Sequence, residues 1–300
     1  MTSPSEQQRP RGYFLIYSRS SGRQRWVDDA ALIRNFFREK NIPHEFVEVD
    51  RREHTLADLD WSFVDETGAA VVAIGGDGIL RAVTEHLFLT ERKVPIGVIP
   101  RGSANVFARL HGVPRSVPAA LEHLMQAQPS AHSIGLLNGK HVFLLGACYG
   151  RLAEITLAAE NRLKRTLGFG CYLLEGAKRI LRFPRHPLQL GMEQGEESLL
   201  AHSLLVCTPM FARATLPANG EGHLLRAVAV ANASPFGLMH SIVDLYIRKS
   251  SSKRVLHASS PWFSVRGDLG KTFHLDGDSI LLEQSEHRLE LIEGGWKFLV

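Results

Sequence analysis

The chain has 300 residues, 44% hydrophobic and 22% charged, a globular composition long enough for two domains that excludes a disordered or low-complexity protein. Its net charge of +4 suits an anionic partner such as a membrane surface or a phosphorylated ligand, and is too small to nominate nucleic acid. No apolar run approaches the roughly 18 residues of a membrane-spanning helix, and the polar opening MTSPSEQQRPRG lacks the apolar centre of a secretion signal, so the chain reads as cytoplasmic.

In chain order, residues 12–18 (GYFLIYS) read as a buried strand followed by the turn-like RSSGR. Helical spacing follows over residues 26–39, with Ala30, Leu32, Ile33, Phe36 and Phe37, and then a short strand over 44–49. Residues 71–88 (VVAIGGDGILRAVTEHLF) are an apolar run that ends in Gly75-Gly76-Asp77-Gly78 and passes at once into a helix carrying Ile79, Val83 and Leu87. A strand over 94–99 then enters Pro100-Arg101-Gly102-Ser103-Ala104-Asn105 and another helical stretch. Strands separated by helical patterns predict a doubly wound parallel α/β sheet, in which ligands sit at the carboxyl ends of strands. Both glycine-bearing turns fall at such ends.

Near Pro129 the rhythm changes to many short apolar runs, from 134–137 to 289–292, which predict an antiparallel β-sandwich. Helical patterns interrupt it at 153–182 and 236–247. The expected domains are 12–130 and 131–295, and the sequence leaves open whether 296–300 return to the first. Cys148, Cys171 and Cys207 lie in apolar surroundings without metal-ligand spacing and read as buried, reduced thiols.

Four features carry chemistry. Glycines let backbone N–H groups approach a ligand and the helix that follows adds the positive end of its dipole, so Gly75, Gly76 and Gly78 suit phosphate. Asp77 among them makes sense where a hard cation bridges carboxylate and phosphate, although an ordinary strand-to-helix connection would also account for the stretch. In the second turn, Ser103 and Asn105 fit phosphate or ribose binding, or simply helix capping, Ser103 being a natural N-cap. Downstream, Asp276-Gly277-Asp278 is a hairpin-like turn showing two carboxylates, either of which could accept the proton of an attacking hydroxyl in phosphoryl transfer; a plain tight turn is the alternative. Lys178, Arg179, Arg182 and Arg185 end the long helical pattern and suit an anionic membrane surface or plain solvent exposure.

Together these motifs resemble the lipid kinases of the diacylglycerol kinase catalytic type, including bacterial diacylglycerol kinases and sphingosine kinases. The resemblance covers nearly the whole chain from Tyr13. It rests on GGDG followed by IGVIPRGSANVFARLHGVP, with LNGKHVFLLGACYG, LGFGCYLLEGAKRIL, LPANGEGHLLRAVAV and LDGD in order after it. GGDG is shared with NAD kinases and phosphofructokinases; GSANVFAR is what selects lipid kinases. The resemblance implies an α/β domain, a β-sandwich and an active site between them, with ATP and Mg²⁺ as cofactors and a lipid substrate at the membrane surface. It implies that Gly75 to Gly78 and Ser103 hold the ATP phosphates, with Ser21 and Gly22 from the first loop and Asn105 in support. Asp77 would lie beside phosphate and magnesium, Asp278 would be the proton acceptor next to Asp276, and Glu221 with the backbone of His223 would hold a structural magnesium. Several positions depart from the family: the first loop is Ser18-Arg19-Ser20-Ser21-Gly22 rather than N-P-x-S-G, Ile79 replaces a threonine, Ala82 a glutamate and Val106 an aspartate. The expectation is an ATP-dependent lipid kinase. The alternatives are a non-catalytic nucleotide- or lipid-binding member of the family and an NAD kinase-like enzyme. Peripheral attachment at the inner membrane surface and a homodimer are left open.

Overall fold

Three of the apolar runs of the first third form strands buried end to end, at 13–18, 70–75 and 96–100, while the strand at 44–49 is partly buried; helices on both sides explain why. This is seen in a computed structural model that describes residues 10–18, 26–50, 55–150, 186–201, 203–216, 223–230, 255–267, 272–282 and 284–300. The chain divides into two units, Met1–Ser133 with Glu293–Val300, and Ile134–Ile292.

The first unit is built from β1 (Tyr13–Ser18), α1 (Trp26–Glu39), β2 (His44–Val49), α2 (Ser62–Thr67), β3 (Ala70–Gly75), α3 (Asp77–Leu89), β4 (Ile96–Pro100), α4 (Val106–Leu110) and α5 (Val117–Gln126). The strands run in the order β2-β1-β3-β4, every neighbour parallel. Tyr13 packs on Phe37 of α1, whereas the next residue, Phe14, packs on Trp61 at the start of α2. Successive strand residues point to opposite faces, so the sheet is covered on both sides and the layout is doubly wound. Trp61 also stacks on His86, which places α3 on the α2 side.

The second unit contains β5 (Pro129–Leu137), β6 (His141–Phe143), β7 (Gly146–Gly150), β8 (His186–Met192), β9 (Gly195–Ala201), β10 (Ser203–Cys207), α6 (Pro209–Thr215), β11 (Leu225–Val230), β12 (Val255–Ser260), β13 (Trp262–Gly267), β14 (Thr272–Leu275), β15 (Asp278–Leu281) and β16 (Glu286–Leu299). One antiparallel sheet has the order β12-β11-β10-β7-β14-β15; in the other layer β16-β13-β8-β9 run antiparallel and the β5–β6 hairpin lies beside β16. Alternate residues of both layers, among them Tyr149, Val206 and Phe273 from the first and Leu190, Phe263 and Leu289 from the second, share one apolar core, which makes this unit a β-sandwich.

β16 belongs to both units: Leu289 pairs with Phe263 of β13, and beyond Gly294, in the left-handed region at φ 59°, Phe298 and Leu299 add in parallel beside β4. The single apolar run expected over 199–208 is two strands, β9 and β10. The helical patterns at 153–182 and 236–247, with the basic cluster of Lys178, Arg179, Arg182 and Arg185 and with Cys171, lie outside the described residues. Among the described residues no helix is long and apolar enough to cross a membrane.

Candidate active site

β3 and β4 are neighbours, and the two turns that leave their carboxyl ends touch backbone to backbone. Arg101 N–H donates to the Gly75 carbonyl at 2.7 Å. A Cβ built on Gly102 would overlap Cα of Gly76 and stand 2.8 Å from Asn105 Oδ1, so the contact needs glycine at this point. α3 begins at Asp77, one residue past Gly76, which presents the first N–H groups of a 13-residue helix at the same place.

Asp77 fastens the two turns together. Its Oδ2 accepts the Val106 N–H and its Oδ1 the Phe107 N–H, each at 2.9 Å, so a carboxylate from the first turn caps the helix that follows the second. The N-cap position of α4 is Asn105, in the left-handed region at φ 47°, and its own side chain does not cap. Ser103, read from sequence as a natural N-cap, is instead exposed on the loop before it. Asn105 is 4% exposed; its Nδ2 donates to the Gly102 carbonyl at 2.8 Å, while its Oδ1 is buried without a partner.

A polar cluster adjoins these turns. Arg101 pairs with Asp29 in the first turn of α1, and its side chain hydrogen-bonds Tyr17 at the end of β1. Burial, with Asp29 close by, raises the Tyr17 pKa above its ordinary value and keeps the phenol neutral. Glu48 contributes to the same effect and is itself paired with Arg34 at 3.0 Å. Ile79 is a core residue at 2% exposure, and the buried Arg81 pairs with Glu85 one helical turn on at 3.0 Å.

Behind α4, Phe107 packs on His111 and Phe298, and the His111 and His132 rings meet edge to face at 4.6 Å. Burial, with His132 beside it, lowers the His111 pKa to about 4, and burial lowers that of His132 as well.

In the second unit Asp276 and Gly277 both have positive φ, 52° and 97°, as a tight hairpin between β14 and β15 requires. The Asp276 carboxylate accepts three backbone N–H groups: Leu144 at 2.6 Å, Leu145 at 2.8 Å and Gly146 at 2.9 Å. It therefore ties the hairpin to the entry of β7. Asp278 is half-buried at the first position of β15. Burial raises the thiol pKa of Cys148, to about 12, and also that of Cys207, so both stay protonated. His223 is exposed; Glu221, Ser21 and Gly22 lie outside the described residues. Among the described residues no three His, Cys, Asp or Glu side chains form a cluster able to hold a metal ion.

The structure thus brings Gly75, Gly76, Asp77, Gly78 and Asn105 together at one strand edge and leaves Ser103 exposed on the loop beside them. Sequence reasoning missed the Tyr17, Asp29 and Arg101 cluster. Arg101 lies in the second glycine-bearing turn, but nothing in the spacing links it to two residues more than 70 positions earlier.

Residues 12–137 match the diacylglycerol kinase catalytic domain. A "Probable lipid kinase YegS-like" of Pseudomonas syringae pv. syringae (strain B728a) is 29% identical over 224 residues, 70% of this chain and 69% of that protein. The protein of the same name from Cronobacter sakazakii (strain ATCC BAA-894) is 27% identical over 77% of each chain. Two solved structures from Bacillus anthracis str. Sterne, both named as diacylglycerol kinases, superpose with TM-scores of 0.75 and 0.68 over 97% of this chain, at 16% and 15% identity, a likeness of fold.

Proposed function

We propose that this protein, whose residues 12–137 match the diacylglycerol kinase catalytic domain and which is similar to proteins named probable lipid kinases, transfers the γ-phosphate of ATP to a hydroxyl of a diacylglycerol-like lipid. The observation that carries the reading is the meeting of two glycine turns at the carboxyl ends of β3 and β4, locked by Asp77 and opening on the amino end of α3. Backbone N–H groups and a helix dipole aimed at one point are what a polyphosphate needs.

In this reading the N–H groups of Gly76, Asp77 and Gly78 cradle the phosphates, the Ser103 hydroxyl donates to a phosphate oxygen, and Asn105 keeps the second turn in shape. The oxygens present suit a hard divalent cation such as Mg²⁺, which takes one or two protein carboxylates and completes its shell with phosphate and water. Asp77 keeps lone pairs beyond the two its capping bonds use, and the buried Oδ1 of Asn105 has all of its own, so these two residues would hold the ion. When bound, the ion would neutralise charge on the transferring phosphoryl group. Asp278 accepts the proton of the lipid hydroxyl as the hydroxyl oxygen attacks the γ-phosphorus in line and the bond to the leaving ADP breaks. Asp276, with its carboxylate on three amides, holds the turn that carries Asp278.

The test is incubation of the purified protein with labelled ATP, Mg²⁺ and vesicles containing diacylglycerol, monoacylglycerol, sphingoid base or phosphatidylglycerol in separate arms. Label in the lipid phase of at least one arm is expected. Folded protein that binds ATP but labels no lipid would point to a non-catalytic member of the family, and phosphorylation of NAD to the other alternative.

A further inference from the structure

We propose that Arg101 is a phosphate-binding residue held in reserve by Asp29 and released to the nucleotide as it docks; this rests on the reading of the first unit as an ATP site. Arg101 is the first residue after β4, and its N–H bond to the Gly75 carbonyl fixes its backbone beside the glycine turn. Its side chain reaches Tyr17 on β1 and Asp29 on α1. β3 stands between β4 and β1 in the sheet, and adjacent strands lie about 4.8 Å apart. A guanidinium from β4 that meets a phenol from β1 must therefore cross the end of β3. That end is Gly75-Gly76, which has no side chain to obstruct it. The guanidinium thus passes the carboxyl end of β3, beside the turn to which the phosphates are assigned.

Two buried atoms of this loop lack partners. Arg101 Nε and Asn105 Oδ1, a donor and an acceptor four residues apart, are both enclosed and unbonded. A guanidinium binds phosphate through two parallel N–H bonds, and Nε with a terminal nitrogen is one such fork. The Asp29 pair is held by a terminal nitrogen and leaves Nε unused. A phosphate at the glycine turn offers that donor its acceptor.

Asp29 can release Arg101. It sits in the first turn of the 14-residue α1, where the helix dipole stabilises a carboxylate without help from a cation. The pairs Asp29–Arg101 and Glu48–Arg34 carry no net charge, so they add to the pull of the N–H groups and the α3 dipole on a polyphosphate only once a guanidinium leaves its carboxylate.

An exchange and a structural strut predict opposite signs for one variant. If Asp29 competes with the nucleotide for Arg101, Asp29→Asn tightens ATP binding several-fold and Arg101→Ala weakens it roughly ten- to a hundredfold, the range of a desolvated charge-assisted contact. If the pair only braces α1 against β4, both variants weaken binding and lower the unfolding temperature together. The experiment is calorimetric titration of the full-length wild type, Arg101→Ala, Arg101→Lys and Asp29→Asn with ATP and Mg²⁺, with thermal unfolding of each. Weaker binding by Arg101→Ala, partial recovery in Arg101→Lys and tighter binding by Asp29→Asn are expected. Should Arg101→Ala not fold, the sign of the Asp29→Asn effect decides. Wild type that binds ATP with an Arg101→Ala affinity within twofold, or an Asp29→Asn variant that binds no tighter than wild type, overturns the exchange and leaves the ATP reading standing. Wild type that binds no ATP overturns both.

Discussion

Each unit carries an aspartate followed by glycine at a tight turn, and in both the carboxylate is tied to backbone N–H groups of another segment. Asp77 holds Val106 and Phe107; Asp276 holds Leu144, Leu145 and Gly146. Around Asp276 each of the three amides meets an oxygen, and the turn serves to fix a hairpin. Around Asp77 two glycines touch, and the second turn keeps two unmet groups, a buried amide oxygen and a buried guanidinium nitrogen. A buried polar group without a partner costs stability, so a loop that keeps two of them signals a ligand where a saturated turn signals architecture.

That contrast is broken most severely at Asp276. Asp276→Ala strands three amides and should destabilise the second unit by about 3–5 kcal/mol, since hydrogen bonds to a charged group are worth about 1.5–3 kcal/mol each and are not fully additive. Urea unfolding followed by tryptophan fluorescence would read it, and a loss below about 1 kcal/mol would show that the bonds are dispensable. Next is Gly102→Ala, whose methyl would overlap Gly76; the strain of overpacking, about 1–3 kcal/mol, should appear as lower stability together with weaker ATP binding. Binding unchanged from wild type would separate the turn from the nucleotide. Ile79→Thr places a hydroxyl in the core where the resembling family has threonine, so it should lower stability by about 1–2 kcal/mol in the same unfolding assay. A variant as stable as wild type would mean that the site accommodates the hydroxyl.

The smallest effect comes from the histidines behind α4. Burial holds His111 neutral, with a folded pKa of about 4 below the ordinary 6.5, so between those values the unfolded chain binds the extra proton. Stability of the first unit is therefore complete above about pH 6.5 and falls as pH drops toward 4, by at most about 1.4 kcal/mol per pH unit for this group. His111→Phe should flatten the slope in a pH series of thermal unfolding. An unchanged slope would assign the acid sensitivity elsewhere.

The parallel half of the fold was legible because its elements obey local rules. Helix 26–39 and strand 44–49 coincide with α1 and β2, since each is an unbroken period with a clear stop. β16 was not legible: Gly294-Gly295 reads as a break between two short runs, whereas the strand continues through that glycine pair into the other unit. α6 was missed too, although Thr208 before Pro209 is a helix-start signal. In the site, the glycine turns could be placed from strand ends alone. The cap from Asp77 to α4 could not, because it joins residues 29 apart through tertiary contact, and neither could the meeting of Arg101 with Tyr17.

In the proposed reaction the two carboxylates of the Asp276-Gly277-Asp278 turn divide their work, Asp276 holding the turn and Asp278 accepting a proton. Lipid phosphorylation by wild type, Asp276→Asn and Asp278→Asn, each with an unfolding curve, tests it directly. Asp278→Asn should lose roughly a hundred- to ten-thousandfold in turnover while remaining folded, the cost of removing a general base, whereas Asp276→Asn should lose stability first. Wild-type turnover retained by Asp278→Asn would contradict the account.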